Sequence, residues 1–112
     1  MAALVPAERL LLETDAPWCE LRPSHASAPH VRTRREARDR KRDDPAFMVK
    51  GRNEPCSMAQ VVEAVAGARG EGADGGAALA AQVLRNTEAL FFPQDATPRS
   101  AGDGADDGRA GL

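Results

Sequence analysis

Leu10-Leu11-Leu12-Glu13-Thr14-Asp15-Ala16-Pro17 is the stretch on which the fold turns. Three leucines run into two carboxylates spaced i, i+2, and Pro17 biases Ala16 away from the right-handed helical region. A short apolar run bounded by polar residues has the pattern of a strand buried on both faces, as in a parallel sheet. It is too short for a helix of its own. In a strand, Leu11, Glu13 and Asp15 project to one side while Leu10, Leu12 and Thr14 project to the other. The acids then stand at the C-terminal end, where α/β folds bind ligands and do chemistry. Asp15 is there a candidate metal ligand or general base. Asp and Pro are also common turn formers, so spacing alone leaves open a plain turn at Asp15 with Glu13 on a solvated edge.

Around this stretch the chain is small and polar. Its 112 residues are 42% hydrophobic and 4% aromatic, which allows one domain and a thin core. The net charge of -2 selects no class of partner. Cys19 and Cys56 are too few for a disulfide framework and read as reduced intracellular thiols, which fits a cytoplasmic or nuclear protein. No apolar run approaches the ~18 residues of a membrane span, and Pro6, Glu8 and Arg9 break any signal-peptide pattern. Residues 1–5 have the composition of a last helical turn, ended by Pro6.

From Trp18 to about Asn53 no period of 2 or 3.6 persists, and proline recurs at 23, 29 and 45. Loops of this length are usually functional or disordered. Residues 32–42 carry seven basic residues against two acids. Such a run suits phosphate contact or a nuclear localisation signal, and equally a solvated, partly helical charged face. Asp43 and Asp44 weaken its field, and no aromatic interleaves the arginines to stack bases. His25 and His30, five apart on a Pro-flanked loop, lack the i, i+4 geometry of a zinc pair. The order Cys19, His25, His30, Cys56 contains no CxxC, which argues against a zinc finger.

The first clear helix opens at Arg52-Asn53-Glu54-Pro55. Asn53 is the expected N-cap, Glu54 complements the positive helix end, and Pro55 suits the first turn. Met58, Val61, Val62 and Val65 fall on one face, leaving Ser57, Gln60 and Glu63 outward. Gly67 and Gly70 end this helix, and a glycine-rich hinge follows to Gly76. A second helix runs from about Ala77 to Leu90, with Ala80, Val83, Leu84, Thr87 and Leu90 as its inner face and Pro93 as its stop. Both apolar stripes are expected to pack on the outside of a sheet. Residues 94–112, rich in Gly, Ala, Asp and Arg, form a disordered tail by composition.

Four blocks in order carry a family resemblance. They are residues 8–19 around Glu13-Thr14-Asp15-Ala16-Pro17, then Arg22-Pro23-Ser24-His25-Ala26, then Lys50-Gly51-Arg52-Asn53-Glu54-Pro55-Cys56, and last Asn86-Thr87 with Phe91-Phe92-Pro93. Together they resemble the C-terminal part of the TatD family of metal-dependent deoxyribonucleases. The resemblance implies the C-terminal fragment of a (β/α)8 TIM barrel over residues 1–93: last strand, long loop and terminal helices. It implies a hydrolase acting on DNA phosphodiesters, with a divalent metal ion (Mg, Mn or Zn) that lowers the pKa of an attacking water. Asp15 matches the family's last metal ligand and thus carries the catalytic and metal roles here. Glu13, one layer deeper on the same side, suits a supporting role. His25 and Arg52 are the candidate substrate contacts, although an ordinary solvated histidine also accounts for His25. The arginine run of residues 32–42 departs from the family pattern.

The family's other ligands, a His-x-His pair on the first strand and a glutamate and two histidines on middle strands, have no match, since both histidines follow Asp15. DNA is the implied partner and the preceding seven strands the implied complement. By itself the chain is expected to be inactive. The alternative is a non-catalytic segment that binds nucleic acid or a partner through the basic loop 32–42.

Overall fold

Side-chain burial alternates residue by residue along residues 10–16, and this alternation organises the chain. Leu10 is buried, Leu12, Thr14 and Ala16 are half-buried, and Leu11, Glu13 and Asp15 are exposed. The computed structural model describes residues 1–42, 44–72 and 74–94. Among them the segment is extended and has the expected two-sided character, but only one face is covered. No backbone hydrogen bond joins residues 11–14 to another described segment, so it is not part of a sheet. A strand needs a neighbour to pair with, and no strand among the described residues pairs with it.

Two helices cover its inner face. The first, α1 (Met58–Ala68), follows a 3-10 turn at Pro55–Ser57, and the second, α2, is Gly75–Phe91. Leu10, Ala66 and Leu79 form the core, with Val5, Leu12, Val62, Val65 and Val83 packed around it. Gly70, at φ +71°, takes the left-handed conformation that ends α1, where glycine has no Cβ to clash. Two 3-10 turns, Ala2–Leu4 and Ala7–Arg9, lead into the extended segment. The Arg69 guanidinium donates to the Ala2 and Val5 carbonyls at 3.0 and 2.7 Å, tying this entry to the end of α1.

The inner face of α2 differs from the expected one. Leu79 is buried at 3% exposure, whereas Leu84 and Leu90 are 58% and 61% exposed. What sets the helix's rotation is Asn86, whose side-chain amide donates to the carbonyls of Ala7 and Leu10, both at 2.8 Å. The Ala7 carbonyl also accepts from the Leu10 N–H at 3.3 Å, but the Leu10 carbonyl has no backbone partner among the described residues, and an unpaired buried acceptor is costly. The helix therefore turns its asparagine inward and leaves Leu84 and Leu90 outside, with Phe91 and Phe92.

The long loop holds one element that its sequence does not announce. Ala37–Arg38 (β1) pairs in parallel with Met48–Val49 (β2), with Ala37 opposite Met48. The basic run is therefore not helical at its centre. A further 3-10 turn, Ala28–His30, packs on α1, and Val31 just after it is buried. Gly67 is required there, because a Cβ would overlap the His30 ring. No helix among the described residues is long and apolar enough to cross a membrane. The expected tail lies, from residue 95 onward, outside the described residues.

Candidate functional site

Glu13 and Asp15 face one small pocket of about 130 Å³, whose wall also includes Thr14, Cys19, Asn53 and Gln60. The turn beyond Asp15 is closed by the Trp18 N–H, which donates to the Asp15 carbonyl at 2.7 Å. Its far side is held by Asn53. The Asn53 backbone N–H donates to the Pro17 carbonyl at 3.0 Å, and its side-chain amide donates to the Trp18 carbonyl at 2.9 Å. The Asn53 side-chain oxygen accepts from the Glu54 N–H at 3.0 Å. Asn53 is 6% exposed, the one polar residue buried this fully among those described. The next residue along the turn, Cys19, sits at φ +56°, which disfavours any residue with a Cβ. The Asn53 clamp fixes the backbone on its N-terminal side. Asn53 is therefore not the N-cap of α1, which Ser57 precedes. Its backbone and side-chain donors serve the Asp15 turn instead.

A second, larger cleft of about 300 Å³ adjoins this pocket, sharing Leu21, Asn53, Ser57 and Gln60 as a common wall. Its lining includes four arginines, Arg22, Arg34, Arg35 and Arg52, against one carboxylate, Glu20. The arginines of the loop thus divide by environment. Arg38 is neutralised by Glu36 at 3.6 Å and Asp44 at 3.7 Å and lies 3.3 Å over the Phe47 ring, a structural cation–π contact. Arg52 bonds Glu54 at 2.8 Å. The guanidinium groups of Arg22, Arg34 and Arg35 have no ion pair or hydrogen bond among the described residues.

Helix α1 anchors the loop that presents Arg34 and Arg35. The Glu63 carboxylate accepts from the backbone N–H groups of Arg32 and Thr33 at 2.8 and 2.9 Å and from the Thr33 hydroxyl at 2.5 Å. Gln60 donates to the Thr33 carbonyl at 2.8 Å. Partial burial raises the Glu63 pKa, but the Thr33 hydroxyl, the two backbone N–H groups and the Arg32 charge outweigh it and hold the group below its ordinary 4.5. The sequence pattern turns Gln60 and Glu63 to solvent, and their real partners lie about thirty residues away.

The sequence-predicted residues are therefore brought together only in part. Asp15 and Glu13 share a pocket, and Arg52 lines the neighbouring cleft. His25 is exposed, lines neither cavity, and its Nδ1 accepts from the Ser27 N–H at 3.2 Å. Cys19 and Cys56 are free and exposed. A divalent cation of the type the resemblance implies needs several oxygen or nitrogen donors converging on one point. Among the described residues no three His, Cys, Asp or Glu side chains converge in this way. The donor set present does not fit a complete metal site.

The chain is similar to known proteins over part of their length. A family model described as TatD related DNase matches residues 1–92. The chain is 44% identical over 73 residues to a protein named deoxyribonuclease Tat-D from Saccharomyces cerevisiae, a match covering 51% of this chain and 18% of that protein. It is 41% identical over 91 residues to a protein named 3'-5' ssDNA/RNA exonuclease TatD from Erwinia amylovora, covering 81% of this chain and 26% of that one. A crystal structure of an uncharacterized amidohydrolase from Saccharomyces cerevisiae superimposes with a TM-score of 0.69 at 32% identity, over 80% of this chain and 28% of that one. The chain thus spans about a fifth to a quarter of the length of these relatives.

Proposed function

Because the chain belongs to the TatD related DNase family, we propose that residues 1–93 supply the C-terminal part of a phosphodiesterase face. In this reading they are the last strand of a (β/α)8 barrel, the loop after it and the two terminal helices, and the substrate is DNA. Asp15 is the residue assigned to the hydrolytic centre, with Glu13 beside it and Arg52 as a phosphate contact. His25, which lines neither cavity, is the weakest of the assigned substrate contacts. One observation supports the reading most: the exposed row of an extended segment ends in a carboxylate whose turn is held by a buried asparagine, within a stretch matched end to end by the family.

What this chain's own residues do follows from geometry. Asn53 holds the Asp15 turn in one conformation, and a carboxylate held in place loses little entropy when it engages a ligand. Gln60 and Glu63 hold the loop that carries the arginines. Of the residues described, Asp15 is the one that would help hold the divalent metal of the family reading, whose chemistry there would be to activate a water. The described residues do not complete its coordination, so by themselves they are assigned no hydrolysis.

The test is a graft. Residues 1–92 replace the matching segment of the Saccharomyces cerevisiae deoxyribonuclease, and the chimera is assayed on labelled DNA with magnesium or manganese. Nuclease activity that Asp15→Asn removes is the expected result. A folded chimera whose activity is indifferent to Asp15→Asn would reduce Asp15 to a turn residue and sink the proposal.

A further inference from the structure

We propose that the cleft lined by Arg22, Arg34 and Arg35 is a track for the phosphodiester backbone of a nucleic-acid strand, distinct from the carboxylate pocket and leading to it. The inference rests on the nuclease reading for the identity of its ligand, but its geometry is separate. Three observations carry it. The three guanidinium groups have no partner among the described residues, whereas Arg38, in the same loop, is neutralised by two carboxylates and an aromatic ring. Among the described residues the cleft keeps an excess of positive charge, Arg22, Arg34 and Arg35 against Glu20 with Arg52 already paired to Glu54, in a chain whose overall charge is -2. Its wall at Leu21, Asn53, Ser57 and Gln60 is also the wall of the pocket that holds Glu13 and Asp15.

Like charges left unpaired side by side repel one another, and a polyanion relieves that repulsion. A planar guanidinium fork matches phosphate oxygens in pairs. The loop does not have to order on binding, since Glu63 and Gln60 already fix Arg32 and Thr33 just ahead of Arg34. A pre-ordered loop saves the entropy that a free basic tail would lose. The absence of aromatics in the cleft lining makes it a reader of backbone charge rather than of bases. Arg40, Lys41 and Arg42, though basic and exposed, line neither cavity and take no part.

Fluorescence anisotropy of a labelled 12-nucleotide oligothymidine with the full chain in EDTA tests this, since no cleavage can then intervene. Three phosphate contacts predict a slope of log affinity against log salt of about -2, at ~0.7 per contact for a single strand. Arg22→Gln, Arg34→Gln and Arg35→Gln together should flatten the slope and cost at least about tenfold in affinity at low salt. The corresponding three Lys substitutions should restore the slope, because charge is retained. Circular dichroism at 222 nm checks that the variants keep their helices. The glutamine substitutions Arg40→Gln, Lys41→Gln and Arg42→Gln should leave both slope and affinity nearly unchanged. An equal loss in this second triple would mean a diffuse field, and retained binding in the first would empty the cleft; either overturns the proposal. So would competition by inorganic phosphate as effective, per phosphate, as the oligonucleotide, which would make the cleft a single-ion site. Arginine-dependent binding by the chain alongside an inactive graft chimera would instead overturn the nuclease reading and leave the track standing.

Discussion

Asn53 and Trp18 stand thirty-five residues apart in the chain, and the Asn53 side-chain amide donates to the Trp18 carbonyl at 2.9 Å. That bond joins the end of the long loop to the turn that carries Asp15. Asn53→Ala should therefore cost about 1–3 kcal/mol, the usual effect of stranding buried hydrogen-bonding groups. Asn53→Asp should be no milder, because it sets a carboxylate against the Trp18 carbonyl. Urea denaturation midpoints measure both, and a change under about 0.5 kcal/mol would show the clamp to be dispensable.

In the graft chimera, Asp15→Asn should lower turnover by more than the ~10–100-fold that changes to groups supporting a metal ligand typically cost. The substitution preserves volume and removes only charge. Asp15 is exposed, so the melting temperature should stay within a degree or two. Turnover and melting, measured on the same preparation, separate loss of chemistry from loss of fold.

The chain of 112 residues alone should show no metal-dependent nuclease activity. No three candidate ligands converge among its described residues. Labelled single- and double-stranded DNA incubated with magnesium or manganese gives the readout. Cleavage that EDTA stops and Asp15→Ala abolishes would mean that this chain completes a centre after all.

Gly67→Ala tests a close approach. Helix propensity favours alanine by about 1 kcal/mol, so an open helical site would gain stability. Here the added Cβ overlaps the His30 ring, and overpacking typically costs 1–3 kcal/mol. The net effect should be a lower thermal midpoint. A raised midpoint would place His30 away from α1 in solution.

Glu63 should make stability depend on pH at the acidic end. Its folded-state pKa lies below the ordinary 4.5, so the unfolded chain takes up the proton first. The contribution is fully present above about 4.5 and is lost as pH falls through the depressed folded value. Glu63→Gln should lower stability at neutral pH and flatten the profile in that window. Denaturation midpoints between neutral pH and pH 3 provide the check, and identical profiles would refute the role.

Parts of this structure were legible because the deciding interactions are local. The two-residue alternation at residues 10–16 is the period of any extended chain, although the run Leu10–Leu12 pointed to burial on both faces and only one is covered; α1 follows from Val61, Val62 and Val65 at helical spacing. The edges of that segment were not legible, because pairing depends on neighbours elsewhere. Asn53-Glu54-Pro55 carries every local mark of a helix start, so only the bonds to Pro17 and Trp18 reveal its other use. In α2, leucines occur on both faces, and the carbonyls of Ala7 and Leu10 decide the rotation through Asn86. Two-residue strands such as β1 and β2 are shorter than any period that a sequence can display.

The backbone of residues 11–14, which makes no hydrogen bond among the described residues, also has a practical consequence. Two copies of the chain can lay these segments side by side, each offering the donors and acceptors the other lacks, with the exposed Leu11 side chains alongside. The first step of such stacking is bimolecular, so the rate at which soluble protein disappears should climb with the square of its concentration. Dilute preparations will outlast concentrated ones, and a lysine in place of Leu11 should slow the loss by charge repulsion between the paired copies. The segment that carries the candidate centre thus also sets the working concentration of the purified chain.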